Sequence, residues 1–472
     1  LENQPAPENN LNNTAPVQHR RTMGVRDMTL FTVSAILLLD TLAASASIGV
    51  SSIFWWGLMG IIFFIPYGLI TAELGTTYPE QGGIYSWIRD AFGTRWGTRA
   101  IWLYWLNTVL WNASIFILFT GVFSQMFFPT MSMSTQLIIA ITLNWVVIFI
   151  TCMSLSIGKW VPNMGATLKT ITFIAIVIGG VVYALQPDVK LANDFSWESF
   201  KPQWSGGTQY VSTIIYGMLG FELMSSASEE MKNPERDIPR SILSSGVIIF
   251  LCYVLGTFAI LAVIPSADIN LVEGLVDTLQ KLFGDSQLGV LIATILGIFA
   301  LFTFISNAVT WAMGCNRAAA ESAIDGELPN VFAIEHPKYG TPTGASILMG
   351  ASSTALLLAY GAIAGTNEDL FWLLFAASAV LFMLPYIGVV SAFYRARIID
   401  PDRLRPFRVP GGKPVVALVT VTCIFLLAVT IFLFMYVPGN GFDWPVVIGS
   451  LTCIALGEVA IRYAEYQNKQ SR

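Results

Sequence analysis

Apolar residues run along this chain in blocks of about twenty, the length an α-helix needs to cross the hydrocarbon core of a bilayer. Twelve such blocks are legible, at about 29–50, 53–77, 99–128, 134–156, 163–186, 208–231, 241–264, 286–320, 343–364, 368–394, 414–437 and 442–464. Between them lie short polar segments with the residues that stop helices. Examples are Tyr78-Pro79-Glu80-Gln81-Gly82-Gly83, Lys232-Asn233-Pro234-Glu235-Arg236-Asp237, the stretch from Pro401 to Pro414, and Val437-Pro438-Gly439-Asn440-Gly441. The pattern predicts an all-α membrane protein of twelve transmembrane helices. It divides the chain into a disordered tail over 1–27, ten helices over 28–394, a polar loop over 395–413, two helices over 414–464 and a tail over 465–472. The first 22 residues are polar, rich in Asn, Pro and Gln, and lack the apolar centre of a secretory signal peptide.

Composition agrees with that pattern. Of 472 residues, 54% are apolar and 12% charged, about half the ~25% charged residues of a soluble protein. With 25 basic and 30 acidic residues and a net charge of -5, no basic patch for nucleic acid is expected. The two histidines, His19 and His336, stand in polar segments near opposite ends, and the five cysteines form no CxxC pair. Neither a metal site, a disulfide framework nor a cofactor is predicted.

The basic residues fix an expected orientation. With the N-terminus in the cytoplasm, the inner segments carry Arg20, Arg21, Arg26, Arg89, Arg95, Arg99, Lys159, Lys232, Arg236, Arg240, Arg317, Lys338, the six basic residues from Arg395 to Lys413, and Arg462, Lys469 and Arg472. The outer loops carry Lys190, Lys201 and Lys281. Both termini are therefore expected in the cytoplasm, with the inner membrane of a bacterium as the location.

Charge inside a membrane costs several kcal/mol and marks function. Asp40 sits halfway along the first span, beside Thr41 and followed by the small residues Ala43-Ala44-Ser45-Ala46-Ser47, which permit close packing or local unwinding. It is read as the counter-charge for a cationic substrate group, or else as a buried carboxylate held by its neighbours. Glu222 ends Tyr216-Gly217-Met218-Leu219-Gly220-Phe221-Glu222 in the sixth span, where two glycines three apart weaken the helix and free backbone groups to hold a solute. Glu229 and Glu230 read as a solvated helix end. Lys169, in the fifth span, either exchanges a proton or snorkels to the interface. Trp105, Asn107, Trp111 and Asn112 in the third span, with Asn307 and Trp311 in the eighth, add polar and aromatic groups that either pack or bind. Val33-Ser34-Ala35-Ile36 and Val211-Ser212-Thr213-Ile214 open the first and sixth spans, each shortly before its acid; placed five helices apart, they fit an inverted five-plus-five repeat.

Four motifs occur in order along the chain: Pro79-Glu80-Gln81-Gly82-Gly83-Ile84-Tyr85-Ser86-Trp87 with Ala91-Phe92-Gly93; Gly220-Phe221-Glu222 with Glu230-Met231-Lys232-Asn233-Pro234-Glu235-Arg236-Asp237-Ile238-Pro239; Asp325-Gly326-Glu327-Leu328-Pro329; and Arg405-Pro406-Phe407-Arg408-Val409-Pro410-Gly411-Gly412. In these the chain resembles the amino acid–polyamine–organocation transporter superfamily over nearly all twelve spans. The last motif and Phe64-Ile65-Pro66-Tyr67-Gly68-Leu69 lean toward the glutamate/4-aminobutyrate antiporter branch. The resemblance implies a LeuT-type fold with the first and sixth helices broken at a central site. It implies an aromatic gate near Tyr216, an acid on the sixth-span break at Glu222, a proton-responsive lysine at Lys169, and an aromatic near the substrate at Trp311.

One departure bears on substrate. Where many amino acid carriers have a glycine–small–glycine stretch whose amides take the substrate carboxylate, this chain has Leu37-Leu38-Leu39-Asp40. Two like charges about 4 Å apart at an effective dielectric of ~20 repel by roughly 4 kcal/mol. The expected substrate is thus an amine without a carboxylate, such as putrescine, another polyamine or a decarboxylation product, moved by exchange or with a proton. The expected binding residues are Asp40, Thr41, Tyr216, Glu222, Asn112 and Trp311, with Lys169 and Glu222 in coupling. An amino acid antiporter of the glutamate/4-aminobutyrate type stays open beside it. A membrane-embedded enzyme fits poorly, with no Walker loop, HExxH or GxSxG, and a channel or receptor would have no large polar domain.

Overall fold

The computed structural model describes residues 24–79, 83–153, 155–202, 206–223, 231–284 and 286–470. Glu80, Gln81, Gly82, Glu229 and Glu230 of the sequence motifs, and the chain before Gly24, lie outside them. Leaving aside a single turn at Trp197–Phe200, the helices are α1 (Val25–Ile36), α2 (Asp40–Ala46), α3 (Ser51–Thr77), α4 (Ile84–Phe92), α5 (Thr94–Phe127), α6 (Met133–Cys152), α7 (Leu155–Ala184) and α8 (Val211–Tyr216). They continue with α9 (Pro234–Val263), α10 (Gly274–Phe283), α11 (Gln287–Ile324), α12 (Thr343–Gly361), α13 (Asn367–Ile399), α14 (Gly412–Met435) and α15 (Trp444–Gln470). A short hairpin pairs Tyr436–Val437 with Gly441–Phe442 between the last two.

Among the described residues ten helices are long and apolar enough to cross a membrane, and α1 with α2 makes an eleventh, bent by 63°. The segment predicted as the sixth span is not one helix. It opens with a 3-10 turn over Gly206–Tyr210, runs through six-residue α8 and leaves the helix at Gly217; residues 224–230 lie outside the described ones. The ends also differ from expectation. α1 starts at Val25, inside the predicted tail, because Asp27 reaches back to accept the Gly24 N–H at 3.0 Å. α13 runs on to Ile399, with Arg397 in its last turn, where a cation complements the helix dipole.

Burial sorts the helices into layers. α5 and α13 are inside, with 89% and 78% of their most apolar stretch buried, while α15 has 28%. These two pack on each other, α11 lies along α5 and α7, and α9 lies along α1 and α7. On α14, Leu418, Val421 and Phe425 share one outward face and are more than half exposed. Apolar surface of that kind needs lipid to cover it. The protein is a multi-pass membrane protein.

The motif from Arg405 to Gly412 clasps α3. Glu73 is buried, and a buried carboxylate must be paired. It takes Arg397 Nε at 2.8 Å, a second bond from Arg397 Nη2, Arg405 Nε at 3.4 Å and the Val409 N–H at 2.7 Å.

Candidate functional site

The two broken segments meet. Gly220, at φ +124°, lies so close to α1 that a Cβ there would stand 2.8 Å from Ile36 Cγ1. Only glycine satisfies both the backbone angle and the contact. α1 ends at Ile36, and the chain crosses Leu37, Leu38 and Leu39 before α2 begins at Asp40. The break therefore falls on the glycine-free stretch that stands out in the sequence.

Beside the breaks is a small cavity walled by Leu38 and Ile36 of the first break, Gly220 and Leu223 of the second, Tyr216 of α8, Asn107 and Trp111 of α5, Trp311 of α11 and Phe382 of α13. Its interior is about 10 Å³, room for a single water. Rings close it. Trp111 and Trp311 meet edge to face at 5.9 Å, Trp311 and Phe382 at 6.0 Å, and Phe382 lies 5.4 Å from Tyr216. No lining residue carries a charge.

The charged side chains lie outside this lining. Asp40 is buried, and its Oδ2 accepts the Trp111 indole N–H at 3.0 Å. It makes no ion pair among the described residues. Thr41 is turned away, its hydroxyl donating to Leu38 O at 3.2 Å. Lys169 of α7 is 2% exposed and donates from Nζ to Ser34 O at 2.6 Å. It is thus anchored to the end of α1, not stretched toward an interface. Glu222 accepts the Tyr386 hydroxyl at 2.6 Å and the Tyr67 hydroxyl at 3.0 Å, which ties the second break to α13 and α3.

Of the residues expected at the site, Tyr216 and Trp311 line the cavity, and Asp40 touches one of its walls through Trp111. Asn112 does not belong to it. Its amide faces Met349 Sδ at 3.8 Å on α12, while Asn107, one and a half turns earlier, faces the cavity. α5 is buried on every side, so its sequence carries no signal for which asparagine points inward. Phe382, Tyr386, Tyr67 and Tyr253 of α9 are not among the site residues expected from the sequence. Phe382 and Tyr386 stand one turn apart on α13, the only regularity that could have paired them. Among the described residues no cluster of His, Cys, Asp or Glu is placed to hold a metal ion.

A multi-pass helical protein whose chain leaves the helix at 37–39 and again at 217–222 beside a small aromatic-walled cavity, with a buried acid against that wall, has the build of a solute transporter. The chain belongs to the amino acid permease family, whose model matches residues 23–456. It is similar to a Lactococcus lactis protein described as a probable agmatine/putrescine antiporter, with 34% identity over 439 residues, covering 92% of this chain and 93% of that one. An uncharacterized transporter of Legionella pneumophila is 30% identical over 406 residues, covering 85% of this chain and 86% of its own length. A polyamine transporter of Oryza sativa is 25% identical over 408 residues, covering 86% and 71%.

Proposed function

We propose that this protein is a secondary transporter that exchanges small cationic amines lacking a carboxylate, of the agmatine and putrescine type, across a bacterial inner membrane. The observation that carries this reading is Asp40: a buried carboxylate at a helix break, without an ion pair among the described residues, behind a wall of aromatic rings that bears no charge. In the open state Trp111 swings aside. The substrate ammonium then reaches Asp40, and the faces of Trp111, Trp311 and Tyr216 receive the rest of the cation, each contact worth about 0.5–2 kcal/mol. The similarity to an agmatine/putrescine antiporter and to a polyamine transporter supports the same substrate class.

In this reading the ring-closed cavity is the occluded stage of alternating access. Glu222, tied to Tyr67 and Tyr386, and Lys169, tied to Ser34, each fasten one of the two breaks to neighbouring helices. Lys169 is the group through which a proton acts on α1. Twelve spans in an inverted five-plus-five repeat, with both termini in the cytoplasm, complete the proposal. A thermal-shift screen of purified protein against agmatine, putrescine, spermidine, arginine, glutamate and 4-aminobutyrate tests it. Stabilisation by the first three is expected. Stabilisation by glutamate or 4-aminobutyrate alone hands the site to an amino acid antiporter.

A further inference from the structure

A chain that leaves the helix inside a membrane has to hand its freed N–H and C=O groups to a partner. At the break between α1 and α2 one phenol partners two of these groups. Tyr253 Oη donates to Ile36 O at 2.8 Å and accepts the Leu38 N–H at 2.9 Å, so both faces of the hydroxyl are spent on the same turn of chain. The ring is fully buried, stacked on Trp56 at 4.6 Å and edge-on to Phe173 at 6.3 Å. Its position is set by packing within the protein and needs no substrate.

Ile36 and Leu38 are also walls of the cavity. Unpaired N–H groups beside a transport cavity are what a substrate carboxylate binds, and a charge-assisted bond of that kind is roughly twice as strong as a neutral one. The Leu38 N–H is withheld from that role. We propose that Tyr253 is a specificity-determining residue: by engaging the Leu38 N–H and Ile36 C=O it removes the backbone donor that a carboxylate would use, so the site takes amines and refuses their carboxylated counterparts. The inference rests on the amine reading of the site. It is separate from the action of Asp40, because Asp40 repels a carboxylate through charge while Tyr253 withholds a donor.

Agmatine and arginine differ by one carboxylate and are the natural probes. The full-length protein is reconstituted in liposomes, and inhibition of labelled putrescine exchange by each compound is measured for the parent, Tyr253→Phe, Asp40→Asn and the double variant. Phe keeps the stack on Trp56 and frees the Leu38 N–H. The arginine-to-agmatine ratio of inhibition constants is expected to fall about tenfold in Tyr253→Phe, with agmatine's own constant little changed, and to fall further in the double variant. A purely structural role weakens both compounds together and leaves the ratio where it was; that result overturns the inference. If Tyr253→Phe does not survive purification, a fluorotyrosine at 253, a poorer acceptor of the same shape, is expected to lower the ratio in the same direction, and an unmoved ratio again overturns it. A parent that exchanges arginine as readily as agmatine sinks the amine reading and this inference with it. A parent that prefers agmatine, with a ratio unmoved by Tyr253→Phe, sinks this inference alone.

Discussion

Replacing Asp40 by Asn removes one charge and little else. The amide oxygen still accepts the Trp111 N–H, which lies 3.0 Å from the carboxylate in the parent, and the volume is nearly unchanged. The loss is therefore the attraction between Asp40 and a bound ammonium. With Asp40 4% exposed, a contact at about 4 Å and an effective dielectric of ~20 corresponds to roughly 4 kcal/mol. The hydration given up by the ammonium takes part of that back, leaving about 2 kcal/mol, or roughly a 30-fold rise in Kd. Calorimetric titration of parent and Asp40→Asn with putrescine measures it, with the unfolding midpoint of each as a check on the fold. A Kd within about threefold of the parent, in a variant that folds normally, refutes the assignment of Asp40 as the counter-charge.

Lys169→Ala removes the ammonium that holds Ser34 O; uptake driven by a pH gradient is expected to vanish while exchange partly persists, and unchanged gradient-driven uptake would leave Lys169 a structural tie only. Glu73→Gln leaves the half-buried Arg397 and Arg405 without their counter-charge, a loss of up to about 3 kcal/mol, so the unfolding midpoint in detergent should drop, and an unmoved midpoint would mean that water already reaches the cluster.

The apolar blocks and their Pro-Gly punctuation were enough to place the long helices, because crossing a bilayer demands length and apolarity that few other structures share. The buried acids were equally legible, since Asp40 and Glu222 stand out against the residues around them. What could not be read was which way a side chain points on a helix buried all round. Asn107 and Asn112 look alike in α5, yet one walls the cavity and the other meets Met349. The tyrosines were hidden for a different reason. Tyr253, Tyr67 and Tyr386 look like ordinary core aromatics, and their importance lies in hydroxyl partners 155 to 217 residues away along the chain. Asp40 was visible as a charge; its link to Trp111, 71 positions on, required the fold. At a break that has no glycine, Tyr253 of α9 partners the Ile36 C=O and the Leu38 N–H.

Counterflow in liposomes measures the exchange of cationic amines across a membrane directly. Purified protein is reconstituted into vesicles loaded with unlabelled agmatine, and entry of labelled putrescine is followed. Rapid accumulation that depends on internal agmatine, and that is absent from vesicles loaded with buffer or glutamate, is the predicted result. Putrescine entry that is indifferent to the internal amine, or exchange seen only between glutamate and 4-aminobutyrate, would contradict it.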